Sequence, residues 1–284
     1  MNHVKKGVGA WALILIVFLY MGFLILAPIG ALIKGTFESG LMPVMQSLSS
    51  PSLLGALWLS LKIALIVVIT QAIFGTVVAW VIVRQDFYGR TVLNGLIDIP
   101  FSVSPVVVGY MLLLLFGRNG FLFPILERVG IKIAFAVPGM ILATLFVSLP
   151  FMVREMIPAI KNLDRQQELA AQTLGAKPWV IFWRIIFPQL KTALLYGISL
   201  TLARALGEFG AVLVIGGGVQ GRTETSTLFI FRALDERRYI EACTASILLG
   251  VFSVLVVSLT DSLKRSQKKR QEDIHLQEKL SLQS

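Results

Sequence analysis

Cysteine and histidine are nearly absent from this 284-residue chain: Cys243 is the sole cysteine, and His3 and His275 lie in the two polar ends. One cysteine excludes an intrachain disulfide and a cysteine-built zinc site. An apolar body without histidine excludes a Ser-His-Asp or Cys-His hydrolase there, and no metal ligand set is expected. Charge is scarce as well. Asp, Glu, Lys and Arg make up 15% of the residues, against about 25% in ordinary soluble domains. The hydrophobic share is 56% and the mean hydropathy +0.79. This balance excludes a soluble globule, and disorder needs the opposite balance. What is left is a polytopic membrane protein, all-α in class. Acids are the scarcer sign, 16 against 26 bases, for a net charge of +10. In a soluble protein that excess would suggest nucleic acid, so the location of the bases decides its meaning.

A membrane helix needs about 20 apolar residues to cross about 30 Å of hydrocarbon. Six runs qualify: 11–33, 56–83, 92–116, 134–153, 193–215 and 239–260. The first follows Lys5 and Lys6. It exceeds the core of about 7–15 residues in a signal peptide, so it reads as a retained span. With the N-terminus inside, segments 1–10, 84–91, 154–192 and 261–284 face the cytosol and carry sixteen Lys or Arg. Segments 34–55, 117–133 and 216–238 then face outward and carry eight, and Lys62 and Arg204 fall within spans. Basic residues concentrate on the cytosolic side of membrane proteins, so both termini are expected in the cytosol. Topology thus explains the basic excess, and no nucleic-acid role is expected. Residues 1–260 read as the transmembrane domain, and 261–284 as a polar cytosolic tail near anionic lipid headgroups. Pro28, Pro100, Pro105, Pro138 and Pro150 punctuate the spans. Proline lacks a backbone donor, so bends or ends are expected there. Pro100 and Pro105, with Ser102 and Ser104 between them, are the best candidates for a kinked helix lining a path.

The segment 154–192 is the longest polar stretch between spans. Asp164 with Gln167 resembles a capping box, so a helix is expected from there. Ala170, Ala171 and Leu174 form a small apolar face. Gly175 suits a left-handed residue just past the helix, Pro178 suits the start of a second helix, and Pro188 suits its end. The result is a two-helix knuckle bent at Gly175, with Trp179 and Trp183 as candidate interfacial anchors.

This segment resembles the cytosolic loop of ABC importer permeases, whose pattern is E-A-A-x3-G-x9-I-x-L-P. Here Ala170-Ala171, three residues, Gly175, nine residues, Ile185, one residue, Phe187 and Pro188 match it. Leu169 stands at the glutamate position with Glu168 one residue earlier, and Phe187 replaces the leucine. Residues 97–109, 135–158 and 204–212 resemble the sulfate/thiosulfate permeases of the W type. Residues 109–120 and 204–210 are also similar to molybdate permeases. The resemblance implies a type I ABC importer permease fold with six transmembrane helices. It also implies docking of the 164–188 loop on separate ATPase subunits that hold the ATP and magnesium. This chain would then be no enzyme and would bind no cofactor itself. Implied partners are a homologous T-type permease in a heterodimer, two ATP-binding cassette subunits, an extracytoplasmic sulfate-binding protein and membrane lipid. The location implied is the bacterial inner membrane. Import of molybdate or tungstate by a homodimer is the rival within transport, and a non-transporting scaffold for a cytosolic partner is the rival outside it.

Arg204 and Glu208 are charges within the fifth run. At 1.5 Å per residue from Ala193, Arg204 lies about 17 Å deep. A charge there faces protein, water or a partner charge. Two readings stand: an internal ion pair that orients the helix, or a positive field for a passing divalent anion with Glu208 holding Arg204 in place. Ser102, Ser104, Thr144, Ser148, Ser199 and Thr201 are neutral donors that line a path or bond their own helices. Asp98 caps a helix restart or faces the cavity. Residues 216–221 fit G-x-G-x-x-G, but that motif needs a strand before it and an α/β unit around it. A flexible outer turn is expected instead, with a short surface helix over 228–238.

Overall fold

The computed structural model describes residues 8–38 and 40–258, so the expected tail over 261–284 lies outside the described residues. Every regular element described is helical: α1 (Val8–Phe37), α2 (Leu41–Leu48), α3 (Pro51–Arg84), α4 (Arg90–Leu96), α5 (Ile99–Ser102), α6 (Pro105–Phe116) and α7 (Phe123–Val129). There follow α8 (Val137–Lys161), α9 (Arg165–Thr173), α10 (Pro178–Ile181), α11 (Phe187–Leu206), α12 (Gly210–Gly216) and α13 (Ser226–Asp235), then α14 (Tyr239–Ser258). Five are long and apolar enough to cross a membrane among the described residues: α1, α3, α8, the continuous run Pro178–Leu206, and α14. The pair α4–α5 and α6 makes a sixth if its two limbs count as one span.

The centre is built by α3, α8 and α11. At one level Ile63, Ala64 and Val67 of α3 meet Met140, Ala143 and Val147 of α8, with Val108 of α6 and Ala211, Val212 and Ile215 of α12. Nearer the α9 end, Ala79 and Ile82 of α3 meet Met152, Val153, Met156 and Ile160 of α8, with Ile186 just before α11 and Leu190 within it. At the opposite end Phe229 and Ala233 of α13 pack on Leu53 and Ala56 of α3 and Ala242 and Ala245 of α14. Small and branched residues at these contacts suit hydrocarbon, where association rests on close packing rather than on expelling water. By contrast, α1 exposes Phe18, Phe23 and Leu26 along its length.

Three of the apolar runs differ from the helices formed, one of them at the bend expected of Pro105. The run 92–116 is no single helix: its limbs Arg90–Ser102 and Pro105–Phe116 meet at 112°. Pro105 opens α6, and the residue before a proline is pushed out of helical geometry, so the break falls at Ser104. The run 134–153 extends to Lys161, because Pro150 and Pro158 stay inside α8 instead of ending it. The run 193–215 splits: the helix runs from Pro178 to Leu206 and a new one starts at Gly210. Apolarity does not mark where a helix ends here, and the chain direction turns within an unbroken apolar stretch. The short helix expected over 228–238 forms as α13, which buries Ser226, Leu228, Phe229 and Ala233 and exposes Phe231 and Leu234.

Candidate functional site

The knuckle forms as its caps dictate. Asp164 Oδ1 accepts the Gln166 amide at 2.9 Å and opens α9. Gln167 does not close a capping box; its Oε1 accepts from Gln189 Nε2 at 3.2 Å. Gly175 is left-handed at φ 78°. Its amide donates to Gln172 O and the Ala176 amide to Ala171 O, closing the end of α9 as a glycine-based cap does. Pro178 opens α10 as expected. Pro188 does not end that helix. Residues Phe182–Ile186 form a π turn and the chain continues into α11. A widened turn accommodates a proline that lacks a donor and crowds the preceding carbonyls.

Exposure sorts the knuckle into two faces. Leu169, Ala170, Leu174, Gly175 and Trp179 face outward, with Leu174 87% exposed. A side chain on Gly175 would meet no atom within 4 Å. Ala171 turns inward and packs against the cluster that holds Ile157, Ile160 and Leu163. Of the alanine pair only Ala170 therefore belongs to the outward surface. Glu168 also turns inward. Its Oε1 accepts from Nη2 of Arg84, the last residue of α3. Further along, Trp179, Phe182, Trp183 and Phe187 form a continuous aromatic group, with Trp183 and Phe187 centroids 4.9 Å apart.

The second constellation lies at the two helix breaks. A side chain on Gly210 would meet Val106 N at 3.2 Å and Pro105 Cβ at 3.4 Å, so the start of α12 lies against the start of α6. One turn later, a side chain on Gly109 would meet Ala211 O at 2.5 Å. Small residues at both positions are what let the half-helices touch. Arg204 lies in the last turn of α11, and Glu208 lies in the break. The pair is therefore not carried on one continuous helix face. Arg204 Nη1 is 2.8 Å from Glu208 Oε2, with their side chains 26% and 2% exposed. Glu208 Oε1 accepts the Ala211 amide at 3.1 Å, and its carbonyl accepts Thr227 Oγ1 at 2.7 Å. A carboxylate at the first turn of a helix is favoured by the amides there. Glu208 thus caps α12, ties it to α13 and fixes the guanidinium.

Among the hydroxyl candidates, Ser102 and Ser104 lie exposed beside the break. Thr144 and Ser199 are buried and donate to Met140 O and Leu195 O at 2.8 Å each, and Ser148 donates to Leu145 O. They serve their own helices. Asp98 neither caps α5 nor stands alone. Arg154 Nε donates to its Oδ1 at 2.8 Å and Nη2 to its Oδ2, while Nη1 reaches Asn94 Oδ1 at 3.0 Å. That clamp joins α5 to α8, and a ring contact between Phe101 and Phe151 at 5.3 Å runs beside it. Reading 154–192 as a loop hid Arg154, and reading 84–91 as a loop hid Arg84. The glycine-rich turn 216–221 is closed rather than flexible: Thr223 Oγ1 donates to Gly216 O at 2.7 Å and accepts the Val219 amide at 3.0 Å.

A family model described as binding-protein-dependent transport system inner membrane component matches residues 71–273. The chain belongs to that family. Among transport components of this kind, it is 44% identical over 271 residues to the sulfate transport system permease protein CysW of Synechococcus elongatus, covering 95% of this chain and 94% of that protein. It is 33% identical to the probable sulfate transport system permease protein cysT of Zygnema circumcarinatum, covering 90% of each. A bacterial ABC transporter involved in alginate import shares the fold, with a TM-score of 0.78 at 17% identity over 93% of this chain and 97% of that one. Family and spans together make this a multi-pass membrane transport component.

Proposed function

We propose that this chain is the W-type permease subunit of an ATP-driven importer of sulfate or thiosulfate. The observation that carries the reading is the outward knuckle of Ala170, Leu174 and Gly175, set on a bundle with two adjoining helix breaks. The α9 end faces the cytosol, in keeping with the sixteen-to-eight division of basic residues. Two ATPase subunits hold ATP and magnesium and dock on the knuckle. A homologous T-type permease completes the path, and an extracytoplasmic sulfate-binding protein delivers the anion. The 44% likeness to a W-type protein against 33% to a T-type one supports that pairing. The bacterial inner membrane is the proposed location.

Arg204 supplies positive potential at the paired breaks. The start of α6, whose first turn has no side-chain cap, adds the partial positive charge of a helix N-terminus beside it. Ser102 and Ser104 offer hydroxyl donors to a tetrahedral oxyanion. Glu208 offsets the charge of Arg204, so the anion is held weakly enough to leave, as conduction requires. ATP-driven closure of the ATPases moves the knuckle, and the bundle alternates between two arrangements.

The test is growth of a transport-deficient bacterial strain on limiting sulfate, thiosulfate or molybdate after supply of the full transporter. Rescue on sulfate or thiosulfate is expected, and rescue on molybdate alone overturns the substrate. The variants Ala170→Arg and Leu174→Asp should abolish co-purification of the ATPase. Retained co-purification in both would remove the knuckle from the docking surface.

A further inference from the structure

We infer that the Arg84–Glu168 ion pair is a strut that carries motion from the knuckle into α3, and that both are positioning residues for transport rather than contacts to the ATPase. The inference rests on the importer reading above.

The knuckle is seated lightly. No residue of α9 is fully buried, and only Ala171 and Ala176 of the segment between Asp164 and Lys177 join the neighbouring apolar cluster. A helix so loosely packed tilts under load without moving what lies behind it, unless something stiff connects the two. Among the described residues two side-chain links cross from α9 to the bundle. The Gln167–Gln189 link is neutral and exposed. The Arg84–Glu168 link is charged and sheltered, with side chains only 11% and 16% exposed. Hydrogen bonds between ionised groups are about twice as strong as neutral ones, and low local dielectric strengthens them.

Each end of the link is anchored for directional force. Arg84 closes the 34-residue helix α3. Its guanidinium lies 5.0 Å above the Trp80 ring one turn earlier, which fixes its direction. Ala79 and Ile82 on the same stretch pack against Met152, Val153 and Met156 of α8. A push on Glu168 therefore reaches α3 and, through it, α8. The departure from the family pattern fits this division of labour. Adjacent helical residues point about 100° apart. Leu169 faces outward at the motif's glutamate position, while Glu168 faces the bundle. The motif's outward position is apolar, and the carboxylate is kept for the chain itself.

The full transporter, reconstituted in proteoliposomes with its binding protein, allows sulfate uptake and ATP hydrolysis to be read in the same vesicles. Arg84→Gln and Glu168→Gln are each expected to lower sulfate moved per ATP by at least about five-fold, with ATPase co-purification retained. The double variant should be no worse than either single one, because one interaction is lost in all three. Arg84→Lys should recover part of the ratio, since an ammonium still reaches the carboxylate as a point charge. An unchanged ratio in both single variants overturns the strut, and so do additive losses in the double variant. Loss of the ATPase from the purified complex also overturns it, because the pair would then serve docking. Failure of the substrate reading registers separately: the wild-type complex then moves no sulfate, and the same ratio is read with molybdate.

Discussion

At the residue scale the pair Arg204–Glu208 shows one of the two roles that its sequence position left open, and the other, a field for a passing anion, is proposed. It is an internal ion pair, and it is set at the break rather than within a helix. Glu208 is the structural half: it accepts the Ala211 amide and lies beside Thr227. Removing one partner of a buried pair leaves the other charge uncompensated, at a cost of about 3–5 kcal/mol. Arg204→Gln is therefore expected to lower the melting temperature of the purified transporter and to lower uptake. Arg204→Gln with Glu208→Gln should regain most of the melting temperature, because no lone charge is left, while uptake stays low. Recovery of uptake together with stability would assign the pair to structure alone. Glu208 was legible as a candidate from its charge in an apolar run. Its capping role was not, because nothing in an apolar stretch announces that α11 stops at Leu206.

At the element scale, two broken helices meet where glycine permits. A side chain on Gly109 would lie 2.5 Å from Ala211 O, a backbone atom that cannot yield. Gly109→Leu is expected to separate α6 from α12, cost about 1–3 kcal/mol and abolish uptake, with thermal unfolding as the measurement. The limb α4–α5 is held differently, by the Arg154 clamp on Asp98 and Asn94. Both side chains of the ion pair are partly exposed, at 35% and 47%, so screening discounts it. Asp98→Asn should cost no more than about 1 kcal/mol, yet raise hydrogen exchange across residues 90–102 relative to α8. Equal exchange in variant and wild type would mean that packing such as Phe101 on Phe151 holds the limb. The knuckle was the most legible element, since Asp164, Gly175 and Pro178 each carry a cap requirement with one local solution. Pro188 misled because a π turn, not a helix end, absorbs it.

At the scale of the molecule, orientation and assembly are coupled to charge. With Cys243→Ser, the chain has no cysteine, so single cysteines can be placed at will. Leu174→Cys is expected to react with a membrane-impermeant maleimide only when the cytosolic face is open. Lys132→Cys, on the segment after α7, should react from outside in intact cells. The reverse pattern would invert the proposed topology. Among the described residues the apolar span of α1 is not buried by the rest of the chain, as expected of a surface that meets lipid or another subunit.

The amino-acid sequence by itself determined that this chain is a membrane bundle, how many apolar runs it has, and where a capped knuckle interrupts them. Those properties follow from local chemistry: hydropathy, basic asymmetry and the backbone needs of Asp164, Gly175 and Pro178. Only the tertiary structure decided where apolar runs break, which alanine faces outward, and that Glu168 finds Arg84 and Asp98 finds Arg154. The physical reason is the same each time. In hydrocarbon nearly every residue is apolar, so composition cannot separate the face that touches lipid from the face that touches another helix. Partners 84 and 56 residues apart in the chain are chosen by packing.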